Sequence, residues 1–302
     1  MKLFHSLFGL TWRSVLVALA YFIGLMLAGI VSAMLGAEMP ASAGSSTSMI
    51  WLFVASIILG LILCPIAMRL SLMRGQHFFL WLGVIFFNMG SVAIEGKFFA
   101  PDLVPLPLPV LFAQQLLASI GAALVITLTC AKKGQPVSWW GALRTRPWFA
   151  WLWRFLLSAF SYLVFYFIFG ALNYSLVTQP YYKSHAGGLA APAPEVVLLA
   201  ELVRAPLIVL SILLFLLSER GTKRELMVKA GWMLFAVGGI VPVVLQISSL
   251  PFFLLAASTV EIFFQNFLTG AVSASSLGIE THEPKVRSLS GTALDANTAK
   301  IQ

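Results

Sequence analysis

Eight stretches of this chain are each apolar for about 20 residues or more, the length an α-helix needs to cross a roughly 30 Å hydrocarbon core. They cover approximately 11–35, 49–69, 78–100, 109–131, 148–172, 196–217, 227–247 and 252–278. Inside hydrocarbon a backbone N–H or C=O finds no water, so a spanning segment of this length must be a helix that bonds its own backbone. The chain therefore reads as all-α and polytopic, with residues 1–278 forming one transmembrane domain. Composition points the same way: 60% of the 302 residues are hydrophobic and only 10% are charged, where a soluble domain carries about a quarter charged residues. No long polar segment could fold as a separate soluble domain. Residues 279–302 read as a polar, disordered tail.

The net charge of +8 would suggest nucleic acid in a soluble protein. Here the basic residues alternate between loops. Lys2 and Arg13, Arg69 and Arg74, Lys132, Lys133, Arg144 and Arg146, Arg220, Lys223, Arg224 and Lys229, and Lys285, Arg287 and Lys300 fall on one side of the eight crossings, and only Lys97 and Lys183 on the other. By the positive-inside rule both termini are cytoplasmic. The basic bias thus follows membrane orientation, and no nucleic-acid partner is implied; the partner is the lipid bilayer. The short loops and the lack of an organelle signal make the bacterial inner membrane the default location. The apolar run after residue 10 is too long for a cleaved signal peptide. Cys64 and Cys130 fall toward the cytoplasmic ends of their spans, where no disulfide is expected.

The connecting segments differ in kind. Residues 37–48 and 173–194 are rich in Gly, Ser, Ala and Pro and read as flexible, whereas the prolines of 101–109 favour a stiff extended link. Asn173-Tyr174-Ser175 fits a glycosylation sequon. Residues 134–147, with Trp139, Trp140, Arg144 and Arg146, mix aromatic and basic side chains as an interfacial helix does.

The two halves of the chain align. Trp12-Arg13 recurs as Trp153-Arg154, a displacement of 141 positions (12 to 153), and Tyr21 with Tyr162, Gly29 with Gly170 and Pro65 with Pro206 keep that displacement. Gly83 then meets Gly231 and Gly121 meets Gly270 at slightly larger offsets. The expectation is a parallel 4+4 repeat, halves 11–131 and 148–278, with any site near the interface between them.

Polar groups within the spans mark that site. A charged side chain facing lipid costs several kcal/mol, so such residues turn inward and find partners. Glu201 and Arg204 are spaced i, i+3 on one helix face, roughly 8 and 12 Å below the membrane boundary at 1.5 Å per residue. Glu261, roughly 14 Å deep in the last span, matches the depth of Arg204 and is expected to share it with Glu201 across helices. Gln265 and Asn266 lie one turn farther in, and Asn88 near the middle of the third span. These six form the expected substrate-binding set. Glu95 and Lys97 form a second tier, read as an interfacial pair in which Lys97 snorkels to the headgroups. The plain alternative for Glu201, Arg204 and Glu261 is an ion-pair network that fixes helix register. On that alternative Pro65, Pro206 and Pro242 only kink their helices.

No cofactor is implied. His5, His77, His185 and His282 all fall outside the spans, which argues against an intramembrane haem or zinc site. No lysine sits mid-span in the last helix for a retinal Schiff base, and no Walker, Rossmann or CxxC pattern occurs. Three functions remain: a small-solute or ion transporter in which one carboxylate carries a coupling proton, an intramembrane enzyme acting on a lipid or lipid-linked substrate, and a non-catalytic assembly subunit. Substrate and oligomeric state are not legible in the residues.

Overall fold

A computed structural model describes residues 2–34, 36 and 46–279. The expected tail, including His282, and most of the loop over 37–48 lie outside the described residues. Eleven α-helices follow in order: α1 Lys2–Met34, α2 Ser46–Arg69, α3 Arg74–Phe99, α4 Leu108–Thr129, α5 Trp139–Arg144, α6 Trp148–Asn173, α7 Gln179–Lys183, α8 Pro194–Ser218, α9 Lys223–Phe235, α10 Val241–Leu245 and α11 Phe252–Leu277. Two π-helical turns, Tyr174–Thr178 and Ala236–Ile240, join α6 to α7 and α9 to α10. Eight helical segments are long and apolar enough to cross a membrane: α1, α2, α3, α4, α6 with α7, α8, α9 with α10, and α11. The chain is a multi-pass membrane protein whose lipid-facing surface is rich in exposed Leu, Ile, Phe and Trp.

Helix ends follow from local chemistry. Pro109 and Pro194 sit in first turns, where a missing N–H costs nothing, while Pro242 follows the π-turn within the continuous seventh span. Thr222 and Glu225 cap α9 reciprocally in the arrangement that satisfies two otherwise orphaned amides. Ser138 accepts from the Gly141 amide and starts α5, the short helix that lies within the expected interfacial segment. Gln76 accepts from the Val137 amide at 3.1 Å and donates to the Val137 carbonyl. That clasp ties the start of α3 to the loop before α5, and α3 begins four residues earlier than the apolar pattern suggests. His77 is consequently not outside the span but buried in its first turn, where its Nδ1 accepts from Trp81 Nε1.

All odd crossings run one way and all even crossings the other, so the start of α1 and the end of α11 share one face, called here the terminal face. On it β1, Ser71–Leu72, pairs in parallel with β2, Lys132–Lys133, and Arg146 and Arg154 donate to the last carbonyls of α11. The opposite face carries the segment after α6. Expected as a flexible loop from residue 173, it is helical through Lys183 because the π-turn prolongs the helix instead of ending it. Beyond that, the amide of Ala190 donates to the carbonyl of Phe99.

α1 packs on α2 and α4, and α3 packs on α4; in the second half α6 packs on α8 and α11, and α9 packs on α11. The halves meet along α3 with α8, and where α10 reaches α2. A buried core of Val17, Leu59, Trp81, Ile126, Ile212, Phe215 and their neighbours runs through both. Cys64 and Cys130 are free thiols with Sγ atoms 3.0 Å apart, holding α2 beside the end of α4. Gly121 faces Ala20 of α1, whereas Gly270 faces Ala230 and Gly231 of α9, so these two aligned glycines serve different contacts.

Those close approaches are testable. A Cβ on Gly270 would lie 2.6 Å from backbone atoms of Ala230 and Gly231, atoms that cannot rotate away. Gly270→Ala should cost about 1–3 kcal/mol, the usual range for overpacking. Gly75→Ala, which meets nothing within 4 Å, should leave thermal unfolding in detergent unchanged. Equal melting temperatures for both variants would contradict this packing.

Candidate functional site

The charged residues of α8 sit in a helix that cannot complete its own hydrogen bonding. Pro206 removes one backbone donor and leaves the carbonyl one turn earlier without its helical partner. Two residues before that proline, Arg204 points into the bundle and is 5% exposed. Its Nη1 donates to Glu201 Oε1 at 2.5 Å, its Nη2 to Glu95 Oε2 at 2.5 Å, and its Nε to Ser91 Oγ at 3.3 Å. The i, i+3 geometry places Glu201 and Arg204 together as their spacing requires.

Two tyrosines of α6 complete this cluster. Tyr162 donates to Glu201 Oε2 at 3.1 Å, and the Arg204 guanidinium carbon lies 5.8 Å from the ring centroids of both Tyr162 and Tyr166. A guanidinium against an aromatic face gains electrostatically from the ring quadrupole, most where water is excluded. Arg204 is therefore bound by α3, α6 and α8 at once. Glu201 is fully buried, while the Glu95 side chain is 35% exposed. Glu95 lies one turn from the end of α3 and connects the buried guanidinium to the surface of the bundle.

The arrangement corrects two expectations. Glu95 does not pair with Lys97. Residues two apart on a helix do not face one another, and Lys97 instead donates to the carbonyls of Val104 and Pro105, at 3.3 and 2.7 Å, in the proline-rich link. Nor does Arg204 bond Glu261, because its terminal nitrogens are taken by Glu201 and Glu95.

Glu261 heads a second cluster. Asn173, the last residue of α6, donates to its Oε2 at 2.5 Å, and Gln265 donates to its Oε1 at 2.7 Å. Both donors are neutral amides. Gly170 makes room for the carboxylate: a Cβ there would stand 3.2 Å from Glu261 Oε1. Asn173 is thus a helix-end residue turned to a carboxylate.

Asn88 of α3 and Asn266 of α11 meet at a third place. Both approach Gly238, at the middle of the π-turn between α9 and α10, and a Cβ on Gly238 would lie 2.4 Å from Asn88 Oδ1 and 3.2 Å from Asn266 Nδ2. Asn266 also donates to the carbonyl of Leu234 at 3.4 Å. π-turns occur disproportionately at functional sites, and here two of them border the polar groups. Sequence reasoning missed Ser91, Tyr162, Tyr166 and Asn173 as partners. The one available signal was Tyr162 and Tyr166 at i, i+4 in an apolar span.

The polar groups thus comprise two carboxylates on one guanidinium and a third carboxylate held by neutral amides. They offer donors, acceptors and surplus acid, and the hydroxyl bonded to a carboxylate is that of Tyr162 on Glu201. Among the described residues no group of three His, Cys, Asp or Glu is placed to hold a metal ion. The two cavities described lie toward the terminal face and are lined by other residues. Compared with protein-family models, curated proteins and solved structures, the chain matches none.

Removing one partner of a buried ion pair leaves a charge uncompensated and typically costs about 3–5 kcal/mol. Glu201→Gln should accordingly lower stability by about that amount. Glu95→Gln should cost clearly less, because that side chain is 35% exposed rather than sealed inside the bundle. Unfolding followed in detergent checks the order; a larger loss for Glu95→Gln would contradict the assignment of Glu201 as the buried partner.

Proposed function

We propose that the chain is a small-solute or ion transporter whose intramembrane site comprises Glu201, Arg204, Glu261, Gln265, Asn266 and Asn88, with Glu95 joined to it. One observation carries the reading: Arg204 is already shared by Glu201 and Glu95, which leaves Glu261 with only amide donors. A carboxylate in the membrane interior without a cation in contact is a poor permanent anion. Glu261 is then the group that takes up and releases a coupling proton, while Arg204 fixes the helices around it.

Architecture supports the reading. The parallel 4+4 repeat fits the packing, since α1 with α2 and α4 mirrors α6 with α8 and α11, and α3 with α4 mirrors α9 with α11. Across the halves, α3 with α8 mirrors α10 with α2. Tyr21 and Tyr162, aligned in the two halves, are both buried and both donate from the ring hydroxyl, to Gln115 and to Glu201 respectively. Transporters built this way commonly place substrate groups at the interface of the halves. The polar clusters draw on α3 from one half and on α6, α8, α11 and the 236–240 turn from the other. An intramembrane enzyme acting on a lipid would need an acyl-shaped opening beside Arg204, and the apolar cavity described is lined by other residues. The saturated partners of Arg204 favour the assembly-subunit reading as the second possibility.

The terminal face is cytoplasmic in this proposal, and the membrane is the bacterial inner membrane. A membrane-impermeant thiol reagent applied to intact cells should label Lys183→Cys and spare Arg220→Cys; the reverse pattern inverts the topology.

For transport itself, proteoliposomes on a solid-supported membrane can be challenged with a panel of amino acids, sugars, organic acids and organic cations under a pH gradient. The parent should give a current for at least one class, and Glu261→Gln, nearly isosteric, should fold normally and give none. Equal currents from parent and variant would remove Glu261 from the mechanism.

A further inference from the structure

The two contacts between the halves are unequal. α3 packs on α8, but α2 meets the seventh span mainly through α10 and the π-turn, near the opposite face. Toward the terminal face α2 and α9 part, and α8 forms the floor of the gap. The space between them is a cavity of about 280 Å³.

Its walls and its mouth differ chemically. Ile62 and Ile66 of α2, Phe215 of α8 and Trp232 of α9 give it apolar sides, and Trp232 is 50% exposed where the groove opens laterally. Apolar walls of this kind give a water molecule too few hydrogen-bonding partners to hold it, so an aqueous vestibule is disfavoured. At the mouth, Lys229 bonds Glu219 at 2.5 Å, while Arg69, the exposed last residue of α2, adds a cation that no groove carboxylate offsets. From Ile62 to Arg69 the helix rises roughly 10 Å. The groove therefore runs from the headgroup level, where Arg69 stands, into the acyl layer.

We propose that this groove binds one acyl chain of an anionic phospholipid, with the lipid phosphate held at Arg69 beside Lys229. The chain lies along Ile62, Ile66 and Trp232 and fills the gap between the halves. This site is independent of the transport reading, since it shares no residue with the polar clusters.

Native mass spectrometry of the full chain in detergent tests it, with phosphatidylglycerol and phosphatidylcholine of identical acyl chains as probes. A cation near the headgroup layer contributes about a fivefold preference for the anionic lipid. The parent should retain one phosphatidylglycerol per chain with that preference. Arg69→Gln should keep lipid binding but lose the preference, and Val228→Trp, which fills the groove from an exposed position, should lose both at an unchanged melting temperature. Three results would overturn the proposal: a non-saturating ladder of lipids without headgroup preference in the parent, parent-like binding in both variants, or displacement by glycerol 3-phosphate, which has a phosphate and no acyl chain.

Discussion

A guanidinium does not shed its proton under any condition a cell provides, so once Arg204 is placed inside the membrane the surrounding helices must supply its counter-charges. Three helices do so. α8 provides Glu201 one turn away, α3 provides Glu95 and Ser91, and α6 provides two tyrosine faces and the hydroxyl that holds Glu201. Rotation of any of the three about its axis would leave charge or hydrogen-bonding capacity unmatched in a low-dielectric interior. The junction of the two halves along α3 and α8 is therefore fixed by electrostatics as well as by the apolar packing of Ile208, Val209 and Ile212 with their neighbours.

That junction has a different counterpart across the molecule. Where α2 approaches the seventh span there is no charged pair inside the bundle, and contact is made mainly by α10 and the π-turn. The α3–α8 seam carries the polar cluster, and the other opens as an apolar groove at the terminal face. Glu261 stands apart from both, held by Asn173 and Gln265, at a place where α6 runs into one π-turn. Asn88 and Asn266 flank the other at Gly238. The turn over Ala236–Ile240 is largely buried, as irregular backbone in a membrane must be, whereas Tyr174, Ser175 and Leu176 of the other turn are exposed.

The spans were legible because hydrocarbon thickness imposes a length on apolar runs, and the Glu201–Arg204 pair because three residues return a helix to the same face. What the residues did not reveal was partner choice between helices. Glu95 and Lys97 invite pairing as neighbours of opposite sign, yet their side chains diverge, and only packing of α3 on α8 brings Glu95 to Arg204. Asn173 carries a sequon pattern that drew attention outward, while the π-turn after it keeps the helix going and turns it toward Glu261. Both π-turns lie in sequences, Tyr174–Thr178 and Ala236–Ile240, with no local signature of their own. His77 was placed outside its span because the clasp made by Gln76 depends on Val137, far along the chain.

Under the proposed function the guanidinium and its acids serve transport as well as helix placement. Well-packed apolar replacements of a buried ion pair are often neutral or stabilising, so the two roles separate. Charge movement across proteoliposomes should be measured for the combined variant Glu95→Met, Glu201→Met, Arg204→Met beside its thermal unfolding. A folded variant with melting close to the parent and no solute-evoked current is the expected result. A folded variant that carries the parent's current would show that the cluster is architecture alone.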